Sequence, residues 1–137
     1  MTTLTADQQT LITDLIQDRI EDPIAIYLFG SRATDAVHEA SDFDIAVLPT
    51  EPIPAFVRWD LQQELAIILR SDVDLVDLRS ASTVMRFQVV ATGELLYSSD
   101  STEVATFEMV TLSMYTRFNE ERREILEQVK REGRVYG

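Results

Sequence analysis

Two short runs, residues 24–29 (IAIYLF) and 45–48 (IAVL), are apolar at every position, with no alternation of polar and apolar side chains. A strand that reads this way is buried on both faces, so the chain must cover a sheet with helices on two sides. Only 13 residues separate Phe29 from Phe43. That is near the minimum for a parallel crossover, so a mixed or antiparallel sheet is expected rather than a doubly wound one. The second run opens on a contradiction. Asp42 and Asp44 stand at its mouth, two residues apart, and on a strand they point the same way.

The remaining elements follow from period and punctuation. A helix is expected over residues 5–20, with Thr5 and Gln8 as its capping box and Leu11, Ile12, Leu15, Ile16 and Ile20 on one face. A loop with one helical turn fills 30–41, and a second strand covers 43–48, stopped by Pro49. A helix follows over about 54–70, with Pro54 in its first turn. Residues 73–78 (VDLVDL) read as a third strand. Residues 82–92 read as a short helix closed by Gly93, and 94–97 as a short edge strand. A long helix is expected from Asp100 to about Glu132, ended by Gly133. Strands alternating with helices give an α/β (α+β) class, a small mixed sheet flanked by helices with a long C-terminal helix. The division expected is a domain over 1–100 and a helix over 101–137 that packs on it and contacts a partner. Phe56, Trp59, Met109 and Met114 are expected in the core or in a subunit contact. The charged run NEERREILEQVKREGR is expected to be a solvated helix face that is also available to a partner.

Net charge narrows the partners. Twelve basic residues against 24 acidic ones leave the chain at −12, which repels a nucleic-acid strand. A small anion such as ATP then needs a local cation. There is no cysteine, no apolar run long enough to span a bilayer and no secretory leader in MTTLTADQQ, so a cytoplasmic protein is expected.

At about 6.5 Å and an effective dielectric near 20, Asp42 and Asp44 repel by roughly 2.5 kcal/mol. Asp74, inside VDLV, adds a third carboxylate if its strand lies beside theirs, and three such pairs cost roughly 7 kcal/mol. That is comparable with the whole net stability of a small domain. A divalent cation such as Mg²⁺ would offset it, because it takes oxygen ligands and shares its shell with phosphates. Asp72 shares the parity of Asp74 but starts the strand, and Asp77 should face the other side. Gly30 ends the first buried strand and lets the backbone turn, and Ser31 then offers a hydroxyl and an N–H to phosphate. Arg32 adds a positive charge, and His38 is expected to be exposed. A phosphate holder and a metal holder on consecutive strands suit two-metal phosphoryl or nucleotidyl transfer.

Strand, Gly30-Ser31, ten residues, Asp42-Phe43-Asp44, strand, and a third in-strand aspartate resembles the signature of the polymerase-β-type nucleotidyltransferase superfamily. FGSRA with SDFD and VDLV is similar to its minimal members, many of them antitoxins paired with HEPN-domain toxins. The likeness covers about residues 24–97. A glycine usual a few residues after the arginine is replaced here by Asp35-Ala36. The resemblance implies the nucleotidyltransferase fold and two Mg²⁺ ions bound by Asp42 and Asp44. It implies Asp74 on the catalytic metal and as acceptor of the hydroxyl proton. Gly30, Ser31 and Arg32 would bind the nucleotide. The activity implied is transfer of AMP from ATP to a tyrosine hydroxyl of a HEPN RNase toxin. The alternatives are a toxin-binding antitoxin without catalysis and a small-molecule, aminoglycoside-like nucleotidyltransferase. The latter generally carries an extra helical domain, for which the 40 residues after Tyr97 leave little room.

Overall fold

The computed structural model describes residues 4–30 and 42–136. They form β1 (Ala25–Phe29), β2 (Phe43–Leu48), β3 (Val73–Asp77) and β4 (Glu94–Ser98), with helices α1 (Ala6–Arg19), α2 (Ala55–Leu69), α3 (Thr83–Thr92) and α4 (Ser101–Tyr136). The sheet order is β3-β2-β1-β4. β1 pairs antiparallel with both neighbours, and β2 pairs parallel with β3, so the sheet is mixed as the short first connection requires.

β1 and β2 are central, which is why neither alternates. One face carries Ile26, Leu28, Phe43, Ile45, Val47, Val73 and Leu75 against Ile12 and Ile16 of α1 and Leu61, Leu65 and Leu69 of α2. The other carries Ala25, Tyr27, Phe29, Ala46, Leu48 and Leu78 against Val89 of α3 and Val104 of α4. Tyr27 is buried, and its hydroxyl donates to Glu108 of α4 at 2.9 Å. Burial first, and that carboxylate second, raise the Tyr27 pKa well above the ordinary range. α3 and α4 are joined further by the stacked rings of Phe87 and Tyr115, 3.7 Å between centroids.

The caps largely follow the sequence. Thr5 and Gln8 form the full capping box of α1, and Ser82 caps α3 through Met85 N–H at 3.1 Å. Asp100 accepts from the N–H groups of Thr102 and Glu103 at the start of α4. Two expectations need correction. Gly93 ends α3 without the left-handed turn of a typical glycine cap, since its φ is −80°. It is needed because a β-carbon there would lie 2.3 Å from the Val89 carbonyl oxygen. Gly133 does not end α4, which continues to Tyr136. A solvated helix tolerates one glycine at a cost of about 1 kcal/mol. Of the two places expected for Phe56, Trp59, Met109 and Met114, the core is not where they lie: they are 72%, 57%, 63% and 43% exposed, as a subunit contact would also require.

Asp77 takes the opposite parity to Asp74, as expected, and has a structural task. It is buried, and its carboxylate accepts from the N–H groups of Ile53 and Arg79 at 2.8 Å each and from the Ser80 hydroxyl at 3.2 Å. It therefore ties the approach to α2 to the turn after β3. Asp77→Asn puts an NH₂ among donors and should lower unfolding stability by about 1–3 kcal/mol. Asp74→Asn, at an exposed position, should stay within about 0.5 kcal/mol. Chemical denaturation checks the pair; equal losses would mean that parity does not separate the two roles.

Candidate active site

The carboxylates converge because of strand register. Asp44 of β2 lies directly opposite Asp74 of the parallel strand β3 and opposite Phe29 of the antiparallel strand β1. Asp42 is two residues upstream of Asp44, and between them the Phe43 N–H donates to the Asp72 carbonyl oxygen at 3.0 Å. Asp42, Asp44 and Asp74 thus share one face and one end of the sheet, on the side of α3 and α4. The interaction is visible in Asp44. Burial first, then Asp74, then Asp42, raise its pKa from the ordinary 3.8. Asp44 is half-buried, while Asp42 and Asp74 are exposed. Among the described residues, none of the three has an ion-pair partner, and no three acidic or histidine side chains enclose an ion-sized gap. Among the described residues no cationic side chain stands between them to offset that repulsion.

Gly30 completes this corner. It follows β1 with φ +71°, a left-handed conformation that favours glycine. A β-carbon on it would lie 2.1 Å from Asp44 Oδ2 and 3.3 Å from Asp44 Cβ. The space a side chain would need at Gly30 is filled by the Asp44 carboxylate. Ser31, Arg32 and His38 lie outside the described residues, as does the loop with its expected helical turn. Asp72 is exposed at the start of β3, outside the strand itself.

Sequence reasoning missed two neighbours of this corner. Arg58 and Gln62 of α2 bond to the backbone of Leu75, next to Asp74. Their i, i+4 spacing on a helix that precedes an edge strand was the available signal.

Two outcomes follow from the crowding. Charging Asp44 costs more in the fold than in the unfolded chain, so its charge destabilises the protein increasingly as pH rises from the unfolded-state value through the raised native one. Asp44→Asn should therefore raise stability at pH 7 by up to about 1 kcal/mol, screened by solvent, with the gain vanishing below pH 3.8. Melts across pH check this; a loss at neutral pH would contradict it. Gly30→Ala should cost about 1–3 kcal/mol, and adding Asp44→Ala should recover part of that loss, because the pair is in contact. Fully additive losses in the double mutant would contradict the steric account.

Comparison with known proteins places the chain's sequence and fold in a family. The profile described as Polymerase beta, Nucleotidyltransferase matches residues 11–102, which include all four strands and every candidate residue named above. The chain is 45% identical over 118 residues to the protein adenylyltransferase MntA of Shewanella oneidensis, covering 86% of this chain and 84% of that one. It superposes with a TM-score of 0.82, at 44% identity, on a toxin-antitoxin crystal structure containing AMP-PNP, covering 88% of this chain and 97% of that one. A second structure, the MNT antitoxin in complex with a tri-AMPylated HEPN toxin of Shewanella oneidensis, gives 0.77 at 42% identity and covers 89% and 95%. By register, by the carboxylate corner and by likeness over most of its length, the chain belongs to the polymerase β nucleotidyltransferase family.

Proposed function

We propose that the chain is an antitoxin-type protein adenylyltransferase that moves AMP from ATP to a hydroxyl of a HEPN toxin and thereby silences it. One observation carries the reading: Asp44 paired with Asp74 across β2 and β3, its carboxyl perturbed by both Asp74 and Asp42. The relatives named for protein adenylylation, one structure with an ATP analogue and another with an AMPylated toxin, support the donor and the partner.

By its oxygen chemistry the donor set suits a hard divalent cation, although among the described residues no three side chains are placed to close around one without rearrangement. Three carboxylates on adjacent strands supply oxygen only, and their mutual repulsion favours a 2+ charge among them. Asp42, Asp44 and Asp74 would hold Mg²⁺, two ions in our reading. A bound cation would supply positive charge to the triphosphate and to the charge that develops at phosphorus. The acceptor oxygen, a tyrosine hydroxyl in our reading, attacks the α-phosphorus. The new O–P bond forms as the bond from the α-phosphorus to the bridging oxygen breaks, and pyrophosphate leaves. Asp74, more exposed than Asp44, is the base we assign to the hydroxyl proton. Asp44, held against Gly30, orients the site. Gly30 lets the backbone turn into the segment where Ser31 and Arg32 would receive the phosphates.

Charge and shape fit a protein acceptor. The acidic body repels nucleic acid, and among the described residues no helix is long and apolar enough to cross a membrane. In α4, Ile125, Leu126 and Val129 are 60%, 57% and 58% exposed. They lie among Arg122, Arg123, Lys130 and Arg131, and we place part of the toxin contact there. A cytoplasmic location accords with ATP as donor.

Incubation with Mg²⁺, the HEPN partner and α-labelled ATP should label the partner, whereas γ-labelled ATP should not. Asp44→Asn should lower labelling by at least about 100-fold while the complex still forms. A stable complex that is never labelled would favour neutralisation by binding alone. A labelled small molecule with no labelled protein would favour the small-molecule transferase.

A further inference from the structure

Among the described residues, β3 is an edge strand, paired with β2 on one side only. An edge leaves backbone groups unpaired, and a short edge strand frays and slips. A slip of one residue would turn Asp74 to the opposite face. The outer edge of β3 is nevertheless satisfied at Leu75. The Leu75 N–H donates to Gln62 Oε1 at 2.9 Å, and the Leu75 carbonyl accepts from an Arg58 guanidinium N–H at 3.2 Å. Gln62 and Arg58 are half-buried and one helical turn apart on α2. Together they supply one donor and one acceptor, as a neighbouring strand would.

Leu75 is the residue after Asp74. Its side chain is in the core shared with α2, so the Asp74 side chain stands on the opposite face, beside Asp44. The C-terminal end of β3 is fixed independently by Asp77, through Ile53 and Arg79. Near Asp74, among the described residues, the bonds from Gln62 and Arg58 hold the outer edge.

We propose that Gln62 and Arg58 are positioning residues that set the Asp74 carboxylate against Asp44 through the backbone of Leu75. The proposal rests on the reading of Asp74 as part of the transfer site. Both residues lie on the far side of the sheet from the carboxylates and act only through the strand. Misplacing Asp74 weakens cation binding and proton acceptance, while the nucleotide contacts expected after β1 are untouched. The rate should therefore fall with little change in KM for ATP.

The test uses the full chain with its partner. Gln62→Met keeps the bulk and removes the acceptor. It should speed hydrogen exchange at the Leu75 amide by about tenfold or more, lower kcat by about tenfold, and raise the Mg²⁺ concentration that half-saturates the thermal-shift response. KM for ATP should stay within about twofold. Gln62→Glu keeps an acceptor for the Leu75 N–H and should restore the exchange rate and most of kcat. Fast Leu75 exchange with unchanged kcat and Mg²⁺ response would make the contact merely structural and overturn the proposal. Unchanged Leu75 exchange would overturn it as well. Asp74→Asn tests the underlying reading separately: full transfer in that variant would remove Asp74 from the site, whatever Gln62 does.

Discussion

The pairing of Asp44 with Asp74 across two parallel strands is the constraint around which the molecule is arranged. Side by side in a sheet, two carboxylates repel, and opposite like charges destabilise a strand pair. Asp42 adds to the repulsion, and Gly30 presses the backbone of β1 toward the same carboxylate. None of this helps the chain to fold. It is tolerated because β1 and β2 are buried on both faces, where apolar burial stabilises by roughly 25 cal/mol per Å². The crowded corner sits at one end of that sheet.

The two faces of the sheet divide the work. α1 and α2 cover one face and control the strands from behind, through Asp77 at the end of β3 and through Gln62 and Arg58 at its edge. The other edge has a lesser counterpart, where the Gln9 side chain of α1 donates to the Leu96 carbonyl of β4 at 3.3 Å. The second face carries the carboxylates and is covered over the rest of its length by α3 and α4. A single change of parity along β3 thus separates Asp74, which faces the site, from Asp77, which holds the strand.

Much of this was legible because the responsible patterns are local. The capping box at Thr5, the unalternating runs and the parity of Asp42, Asp44, Asp74 and Asp77 need only neighbours in the chain. Even the mixed sheet follows from one loop length. What escaped depends on contacts between distant segments. Gly30 could be read as a turn, but its contact with Asp44 needs the β1–β2 register. Gln62 and Arg58 look like ordinary helix-surface residues until β3 is placed beside them. Phe56 and Trp59 look like core residues, yet α2 turns its Leu61–Leu65–Leu69 stripe inward and leaves them outside. Gly133 looks like a terminator, but among the described residues nothing lies within 4 Å of a β-carbon placed there, and the helix continues through it.

In the proposed function the three carboxylates act together to hold a divalent cation with the nucleotide. The most direct measurement is the thermal shift of the full chain on adding Mg²⁺ with a non-hydrolysable ATP analogue, in the wild type and in an Asp44→Asn/Asp74→Asn double variant. The wild type should gain stability as ligand rises, by mass action on the folded state, and the variant should start more stable and gain little. An equal Mg²⁺-dependent shift in both proteins would contradict it, because the cation would then be bound elsewhere.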